Sequence, residues 1–188
     1  MDCSSLLERT EIRRLWPADR QDIVDHFLLL DAESRRLRFG VPQKDICVQR
    51  YAEHLLGMDS VVFGAYVDGR LRGLAELCGF LSQWPRIAEA ALSIQRDWQH
   101  AGIGDALFTR LIAAAQNRSV RTLHMTCLRE NECMQHLARK HEAVLEFIPG
   151  EVQATLGPPR PTLSSMTREL LGLGETRRPG PAHLPMPA

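Results

Sequence analysis

The stretch that decides the fold is RDWQHAGIGDAL, residues 96–107, which runs directly into the alanine-rich sequence FTRLIAAAQNR. Gly102 and Gly104 stand there between an apolar run and a predicted helix. The first N–H groups of a helix point outward and carry partial positive charge, so they stabilise a pyrophosphate without any lysine. A Cβ at either glycine would push a phosphate off the backbone. The turn therefore predicts a phosphate site, and a tight bend that holds no ligand is the alternative.

Three phosphate-binding motifs compete for this turn. A P-loop needs GK[ST] after its spacer, and the sequence has GDAL instead. A dinucleotide fingerprint needs a third glycine where Leu107 stands, and an acidic residue at the end of the next strand, TLHMTCL (122–128). Both requirements fail, which sets a nucleotide-dependent oxidoreductase aside. The third motif, QxxGxG, is met by Gln99, Gly102 and Gly104.

This QxxGxG stretch resembles the acetyl-CoA-binding motif of the GCN5-related N-acetyltransferase (GNAT) superfamily. Ile94 stands where that family has its strand-end valine, and Trp98 stands where it usually has an aromatic residue. In LRENECMQHLARK, Asn131 occupies the place of an asparagine that opens a helix beside the cofactor. The resemblance covers roughly residues 10–156. Within the superfamily, AESRRLRFG and AEAALSIQRDWQ resemble the acetyltransferase domains of bacterial protein lysine acetyltransferases.

The resemblance implies a binding site for acetyl-CoA as co-substrate, and no metal. The pantetheine arm would lie beside the 86–96 strand, and a backbone N–H near Ile94 would bind the oxygen that becomes negative during the reaction. The pyrophosphate would lie on the N–H groups of residues 99–105. The implied cofactor-binding residues are Ile94, Gln99, His100, Ala101, Gly102, Ile103, Gly104, Asp105 and Asn131.

Two glutamates are candidates for the general base that the implied reaction needs. Glu89 is the acidic residue of the strand IAEAALSI and stands where several lysine-acetylating relatives place their catalytic glutamate. Strand alternation puts Glu89, Ala91 and Ser93 on one face. Glu76 in GLAEL is the reserve candidate. A solvated strand residue or a structural ion pair is the alternative for each.

The sequence departs from the family pattern at two places. Many members carry a tyrosine seven residues after the asparagine as general acid, and here that position is Ala138. Cys133, one turn earlier, is expected to be a small buried apolar residue, and Cys133, His136 and His141 do not share a helix face as metal ligands would. The family also usually closes this helix with Gly-Phe, where this sequence has HEAVLEF.

Periodicity predicts an α+β (mixed α/β) domain with a central, mostly antiparallel sheet flanked by helices. We expect residues 1–9 to form an N-terminal lead and residues 10–156 to form the acetyltransferase domain. Residues 157–188 are expected to form a proline-rich mobile tail, with one possible short helix within 162–173. AESRRLRFG is interpreted as a polar connection between two helices, the second of which Gly57 closes. Strands are expected in 10–16, 60–67, 71–81, 86–95 and 122–128, and in a hairpin around Pro149-Gly150.

Composition narrows the functional class. Lys plus Arg equals Asp plus Glu at 23 each, so the basic surplus of a nucleic-acid-binding protein is absent. The 5 cysteines form no CxxC pair, and no segment has the pattern of a signal peptide or a membrane span, which favours a cytoplasmic protein.

We expect direct transfer of an acetyl group from acetyl-CoA to a primary amine, of a protein lysine or a small molecule. The alternative is a non-catalytic acyl-CoA-binding sensor. Neither nucleic acid nor membrane is an expected partner, and the sequence is silent on the acceptor and on oligomeric state.

Overall fold

A mixed sheet of seven strands is the centre of the fold in the computed structural model, which describes residues 3–82, 84–158 and 160–171. The strand order is β1-β2-β3-β4-β5-β7-β6, and every neighbouring pair is antiparallel except β4 with β5. The expected mostly antiparallel sheet is therefore confirmed. The strands are β1 (Thr10–Arg14), β2 (Ser60–Val67), β3 (Arg70–Cys78), β4 (Ile87–Ile94), β5 (Thr122–Leu128), β6 (Val144–Ile148) and β7 (Glu151–Leu156).

Helices cover both faces of this sheet. Within the described residues they are α1 (Cys3–Glu8), α2 (Arg20–Leu28), α3 (Ala32–Phe39), α4 (Asp45–His54), α5 (Ile103–Asn117), α6 (Glu132–Lys140) and α7 (Leu163–Leu171), with short 3₁₀ turns at Pro17–Asp19 and Arg96–Trp98. None of the described helices is long and apolar enough to cross a membrane. Residues 172–188 of the expected tail lie outside the described residues.

Alternation along the central strands divides the core in two. Phe63 faces α5 and packs with Leu107 and Phe108, whereas its neighbour Val62 faces α2 and α4 and packs with Phe27. Fully burying a side chain of this size contributes about 1.5–3 kcal/mol. Burial on both faces explains why the central strands are nearly continuous apolar runs.

Two tight hairpins fix the strand register. Asp68 and Gly69 join β2 to β3 with φ values of 50° and 72°, the two positive angles that a two-residue hairpin turn needs. Pro149 and Gly150 join β6 to β7, and β7 rather than β6 pairs with β5. Both hairpins were expected from the sequence and are confirmed.

Two expectations about the N-terminal half are wrong. The stretch AESRRLRF is not a polar connection but helix α3: the Asp31 carboxylate accepts hydrogen bonds from the N–H groups of Glu33 and Ser34, both at 3.0 Å. Gly40, with φ of 76°, ends it. Gly57 does not close α4, because that helix already ends at His54.

The feature that positions the site is the parting of β4 and β5. These parallel strands stay in register only over three pairs, Ile87 with Thr122, Ala88 with Leu123 and Glu89 with His124. Residues 90–94 of β4 therefore have no register partner on β5. A cleft opens at this point.

Candidate active site

The cleft between β4 and β5 has a volume of about 730 Å³. One wall is the end of β4 with the turn that leads into α5, and the other is β5 with α6. Helix α3 contributes Ser34, Leu37 and Arg38 to the lining. The residues at spacing i, i+3 and i+4 share one helix face, so one side of α3 faces the cleft.

The glycine turn begins α5 at the edge of this cleft. Gly102 is the N-cap residue and has a φ of 84°, in the left-handed region that favours glycine. A Cβ on Gly104 would lie 3.1 Å from the Cδ1 of Ile94, closer than ordinary contact, so glycine favours the close approach of helix and strand. The Gln99 side-chain amide donates to the Ile94 carbonyl at 3.0 Å and so ties the turn to the end of β4. The first N–H groups of α5 are thereby presented to the cleft.

Most of the predicted cofactor-binding residues come together here. Those that line the cleft are Ile94, Gln99, His100, Gly102, Gly104, Asp105 and Asn131. Ala101 and Ile103 are buried instead and do not line it. Ile103 packs with Leu107 in the core, so its part in binding would be limited to its backbone N–H.

The carboxylate of Asp105 would repel a nearby phosphate if it were unpaired. It accepts a hydrogen bond from Lys140 at 2.8 Å, and the Nε2 of His141 lies 2.9 Å from it. Burial works to raise the pKa of Asp105, but these two partners outweigh burial and lower it. The pair with Lys140 therefore offsets the acidic charge at the start of α5.

Asn131 caps α6 at the far wall of the cleft. Its side-chain oxygen accepts a hydrogen bond from the N–H of Met134 at 3.2 Å. The capping role that asparagine commonly fills is thus present. Asn131 also lines the cleft, so the capping and binding roles are compatible.

Glu89 lies in the wall of the cleft at the point where the strands part. Its side chain is exposed, and it makes no ion pair with the described residues. It is the last residue of β4 that is in register with β5. An accessible carboxylate at this place can accept a proton from a ligand.

Glu76 has a different environment. It is buried beneath α3, where its carboxylate accepts hydrogen bonds from Arg38 at 2.9 Å and from the Tyr51 hydroxyl. Burial raises the pKa of Glu76, and Arg38 opposes that rise. The residue borders a separate cavity of about 340 Å³ and does not line the cleft. The structure therefore does not bring the two glutamates into one cavity, although they lie on the same face of the sheet.

Helix α6 carries Ala138, the position at which many family members have a tyrosine, and its neighbours differ in burial. Ala138 is buried in the core, so the tyrosine position holds no polar group. Cys133 is exposed and lines the cleft, which corrects the expectation of a small buried residue. The reason is its position in the first turn of α6, on the side that faces the cleft. Glu142 follows the helix with a φ of 63°, a conformation in which glycine is the usual residue.

Two ion pairs connect α3 to the two walls of the cleft. Arg36 donates to Glu130, next to Asn131, at 2.7 Å, and Arg96, at the end of β4, lies 3.2 Å from Asp31. Arg96 holds the pKa of Asp31 well below its usual range. No residue of α3 is fully buried, but Phe39 packs against the core beside Phe27 and Tyr51, so this apolar contact and the ion pairs together hold the helix over the cleft.

Reasoning from the sequence missed several contributors to the site, among them Lys140 on α6 and three residues of the N-terminal helices. Leu37 and Arg38 belong to the stretch AESRRLRFG, which the sequence analysis interpreted as a polar connection between two helices. Their spacing from Ser34, three and four residues, is that of one helix face. His26 was also missed: its Nε2 lies 2.9 Å from the hydroxyl of Ser93 on β4. No local signal in the sequence links two residues 67 positions apart.

Comparisons with known proteins agree with this geometry. A sequence model of the acetyltransferase (GNAT) family matches residues 27–142. This range contains the glycine turn, both parting strands and Asn131. No curated protein sequence gives a significant match.

Solved structures share the fold. The GNAT domain of Streptomyces lividans PAT has a TM-score of 0.67 at 20% identity, with 79% of this chain and 90% of that chain covered. Spermidine N-acetyltransferase from Vibrio cholerae, solved with CoA and spermine, has a TM-score of 0.63 at 19% identity, with 80% and 96% covered. An N-acetyltransferase from Staphylococcus aureus Mu50 has a TM-score of 0.62 at 19% identity, with 80% and 99% covered. At these identities the likeness establishes a shared fold.

Proposed function

Because this chain belongs to the acetyltransferase (GNAT) family, we propose that it transfers an acetyl group directly from acetyl-CoA to a primary amine, with Glu89 as general base. The observation that carries the proposal is the position of Glu89. The accessible carboxylate stands where β4 and β5 part, in the same cleft as the start of α5.

The cleft fits an acetyl-CoA molecule in two respects. The N–H groups at the start of α5 suit a pyrophosphate, and Gly102 and Gly104 line the cleft there without side chains. Residues 90–94 of β4 have no register partner on β5, so their backbone groups on that side are free to pair with a pantetheine arm. Ile94, Gln99, His100, Asp105 and Asn131 would complete the binding site.

The chemistry of the acceptor explains the need for a base. An alkylammonium has a pKa of about 10.4, so at neutral pH it must lose a proton before its nitrogen can attack a carbonyl. In the proposed mechanism Glu89 removes that proton, directly or through one water. Glu76 is a poorer candidate, because Arg38 and Tyr51 already occupy its carboxylate.

Two further steps follow from the site. A backbone N–H near Ile94 stabilises the carbonyl oxygen as it becomes negative, and one well-placed donor of this kind contributes about 3 kcal/mol. Ala138 supplies no proton to the departing thiolate. A thiol has a pKa of about 8.5, so departure with protonation by water is feasible.

The acceptor is either a protein lysine or a small amine. The Vibrio cholerae structure contains spermine beside CoA, which supports including polyamines among the candidates. The free carboxylate of Glu89 suits a cationic amine of either kind.

The direct experiment measures CoA release from acetyl-CoA in the presence of polyamines, aminoglycosides, amino acids and a lysine-rich protein extract, with the acetylated product identified by mass spectrometry. The proposal predicts release that depends on one class of acceptor. Protection against thermal unfolding by acetyl-CoA, without turnover on any amine, would favour the non-catalytic sensor instead. The reason to keep that alternative is that Ala138 stands where many family members have a tyrosine as general acid.

A further inference from the structure

The smaller cavity, of about 340 Å³, has no part in the reaction as proposed so far. Its wall is formed by the last turn of α4, the start of β2 and the end of β3. Asp59 and Glu76 line it, and neither lysine nor arginine is among the described residues of the lining. The C-terminal end of a helix carries partial negative charge, and α4 ends at His54 on the cavity wall. The smaller cavity therefore suits a cation.

Glu76 directs an open oxygen atom into the smaller cavity. Its side chain is 8% exposed, and Arg38 and Tyr51 both donate to the same oxygen, Oε2. The other oxygen, Oε1, has no hydrogen-bond partner among the described residues, yet it remains accessible. Since Glu76 lines the smaller cavity and not the cleft, Oε1 faces the smaller cavity. A carboxylate oxygen held open in a buried side chain indicates a donor that belongs to a ligand.

Asp59 supplies a second open oxygen. Its Oδ1 accepts a hydrogen bond from the N–H of Leu81 at 2.7 Å. Its Oδ2 has no hydrogen-bond partner among the residues that the structure describes. The side chain is partly exposed on the cavity wall. The charge of Asp59 is therefore available to a ligand in the smaller cavity.

The smaller cavity lies one strand away from Glu89. Cys78 of the smaller cavity and Glu89 of the cleft are register partners on β3 and β4. Such partners lie on one face of the sheet, with Cα atoms about 4.5–5.5 Å apart. Glu76 is a diagonal neighbour of Glu89, at about 7–8 Å. Because Cys78 is only partly buried, an extended aliphatic chain can pass over it from one cavity to the other.

The carboxylates of the two cavities act on the same space. Burial raises the pKa of the Cys78 thiol to about 12. Three carboxylates add to that rise, those of Glu76, Glu89 and Asp59. Arg38 opposes it with a single positive charge. Three carboxylates and one guanidinium leave an excess of two negative charges around Cys78, which a ligand with two ammonium groups balances.

Resting on the function proposed above, we infer that the smaller cavity binds a second ammonium group of the acceptor, so that the acceptor is an aliphatic diamine or polyamine. One amine nitrogen lies beside Glu89, where it loses a proton and attacks the thioester. The other nitrogen keeps its charge and donates to the open oxygens of Asp59 and Glu76. The methylene groups between the two nitrogens lie over Cys78. A protein lysine has one amino group on its side chain and fills only the cleft.

Matched amines test this inference in the wild-type protein. Initial rates of acetyl transfer compare putrescine and cadaverine with butylamine and pentylamine, which have the same carbon chains and one amino group. The diamines are expected to have a kcat/KM about 10-fold or more above that of the monoamines, because a charged donor binds a buried carboxylate strongly. Equal kcat/KM values for a diamine and its monoamine would overturn the inference. Faster transfer to a lysine-containing peptide than to any diamine would also overturn it.

Asp59→Asn tests the cavity itself, because it removes a charge and keeps an oxygen for the N–H of Leu81. The preference for the diamine over the monoamine is expected to fall about 10-fold, through the KM for the diamine rather than through kcat. Glu53→Gln is the matched control, since Glu53 is exposed on α4 and lies outside the lining of the smaller cavity. Thermal unfolding checks that each variant is folded. A preference as large in Asp59→Asn as in the wild type would overturn the inference.

Calorimetry separates this inference from the proposed function. Putrescine is titrated into the protein saturated with CoA, which has no acetyl group to transfer, and the Kd is expected to rise about 10-fold in Asp59→Asn. Binding of this kind without acetyl transfer to any amine would remove the proposed function and leave the smaller cavity as a cation site. Acetyl transfer to monoamines, with no binding of putrescine that depends on Asp59, would keep the proposed function and overturn the inference.

Discussion

Glu89 on β4 and His124 on β5 are the last two residues that these parallel strands hold in register. The cleft begins at Glu89, and the same strand leads into the glycine turn. The parting of the strands therefore places a free carboxylate at one end of a backbone edge and the N-terminus of α5 at the other. This arrangement supports the proposed site, in which acetyl-CoA binds through its pyrophosphate at α5 and reacts near Glu89.

The glycine turn gives the first prediction. Gly104→Ala is expected to raise the Kd for acetyl-CoA about 10-fold or more, because its Cβ would lie 3.1 Å from the Cδ1 of Ile94 and would shift the start of α5, whose N–H groups bind the phosphate. Isothermal titration calorimetry measures this Kd. Gly57→Ala is the matched control, since a Cβ there would meet only the His54 carbonyl at 3.8 Å. Equal affinity in both variants would show that the turn does not bind the pyrophosphate.

Glu76 is predicted to act in stability rather than in proton transfer. Glu76→Gln leaves the buried guanidinium of Arg38 without its charge partner, and breaking such a pair typically costs about 3–5 kcal/mol. Urea unfolding measures this loss. Glu53→Gln, an exposed change on α4, is expected to have no such effect. A Glu76→Gln variant with full stability and no activity would instead make Glu76 the base.

His26 is predicted to make stability depend on pH. Its pKa is about 4 in the folded protein against an ordinary value of 6.5, so the unfolded chain binds the proton more tightly. The stabilising effect of the neutral imidazole is fully present above pH 6.5 and is lost as the pH falls toward 4. The free energy of unfolding should decrease by about 3 kcal/mol over this range from His26 alone.

The check is urea unfolding of wild type and His26→Gln at several pH values. The variant lacks this titrating group, so its stability should fall less steeply between pH 6.5 and 4. Parallel curves for the two proteins would mean that His26 is not held neutral by burial.

Much of the scaffold could be predicted from local patterns. Two turns, one at Asp68-Gly69 and one at Gly102, need positive φ angles, which few residue types adopt. The residue types at these positions therefore indicate the turns locally. The strand that carries Glu89 was also predicted, although its alanines favour a helix on propensity alone. Pairing with β3 on one side outweighs that propensity.

Helix α3 could not be predicted in the same way. It has no fully buried residue, and its contacts join residues far apart in the sequence: Arg36 meets Glu130, 94 residues away, and Phe39 packs on Tyr51. The environment of Glu76 is likewise set by Arg38, a residue on that unpredicted helix. The exposure of Cys133 was missed because it depends on which side of α6 faces the cleft.

The central claim is that Glu89 removes the proton of the acceptor amine. The most direct measurement compares kcat for acetyl transfer between wild type and Glu89→Gln, with the Kd for acetyl-CoA measured alongside and Glu53→Gln as the exposed control. We predict a loss of about 100-fold or more in kcat for Glu89→Gln, with the Kd and the melting temperature little changed. A Glu89→Gln variant that keeps the wild-type kcat would contradict the assignment of Glu89 as the base.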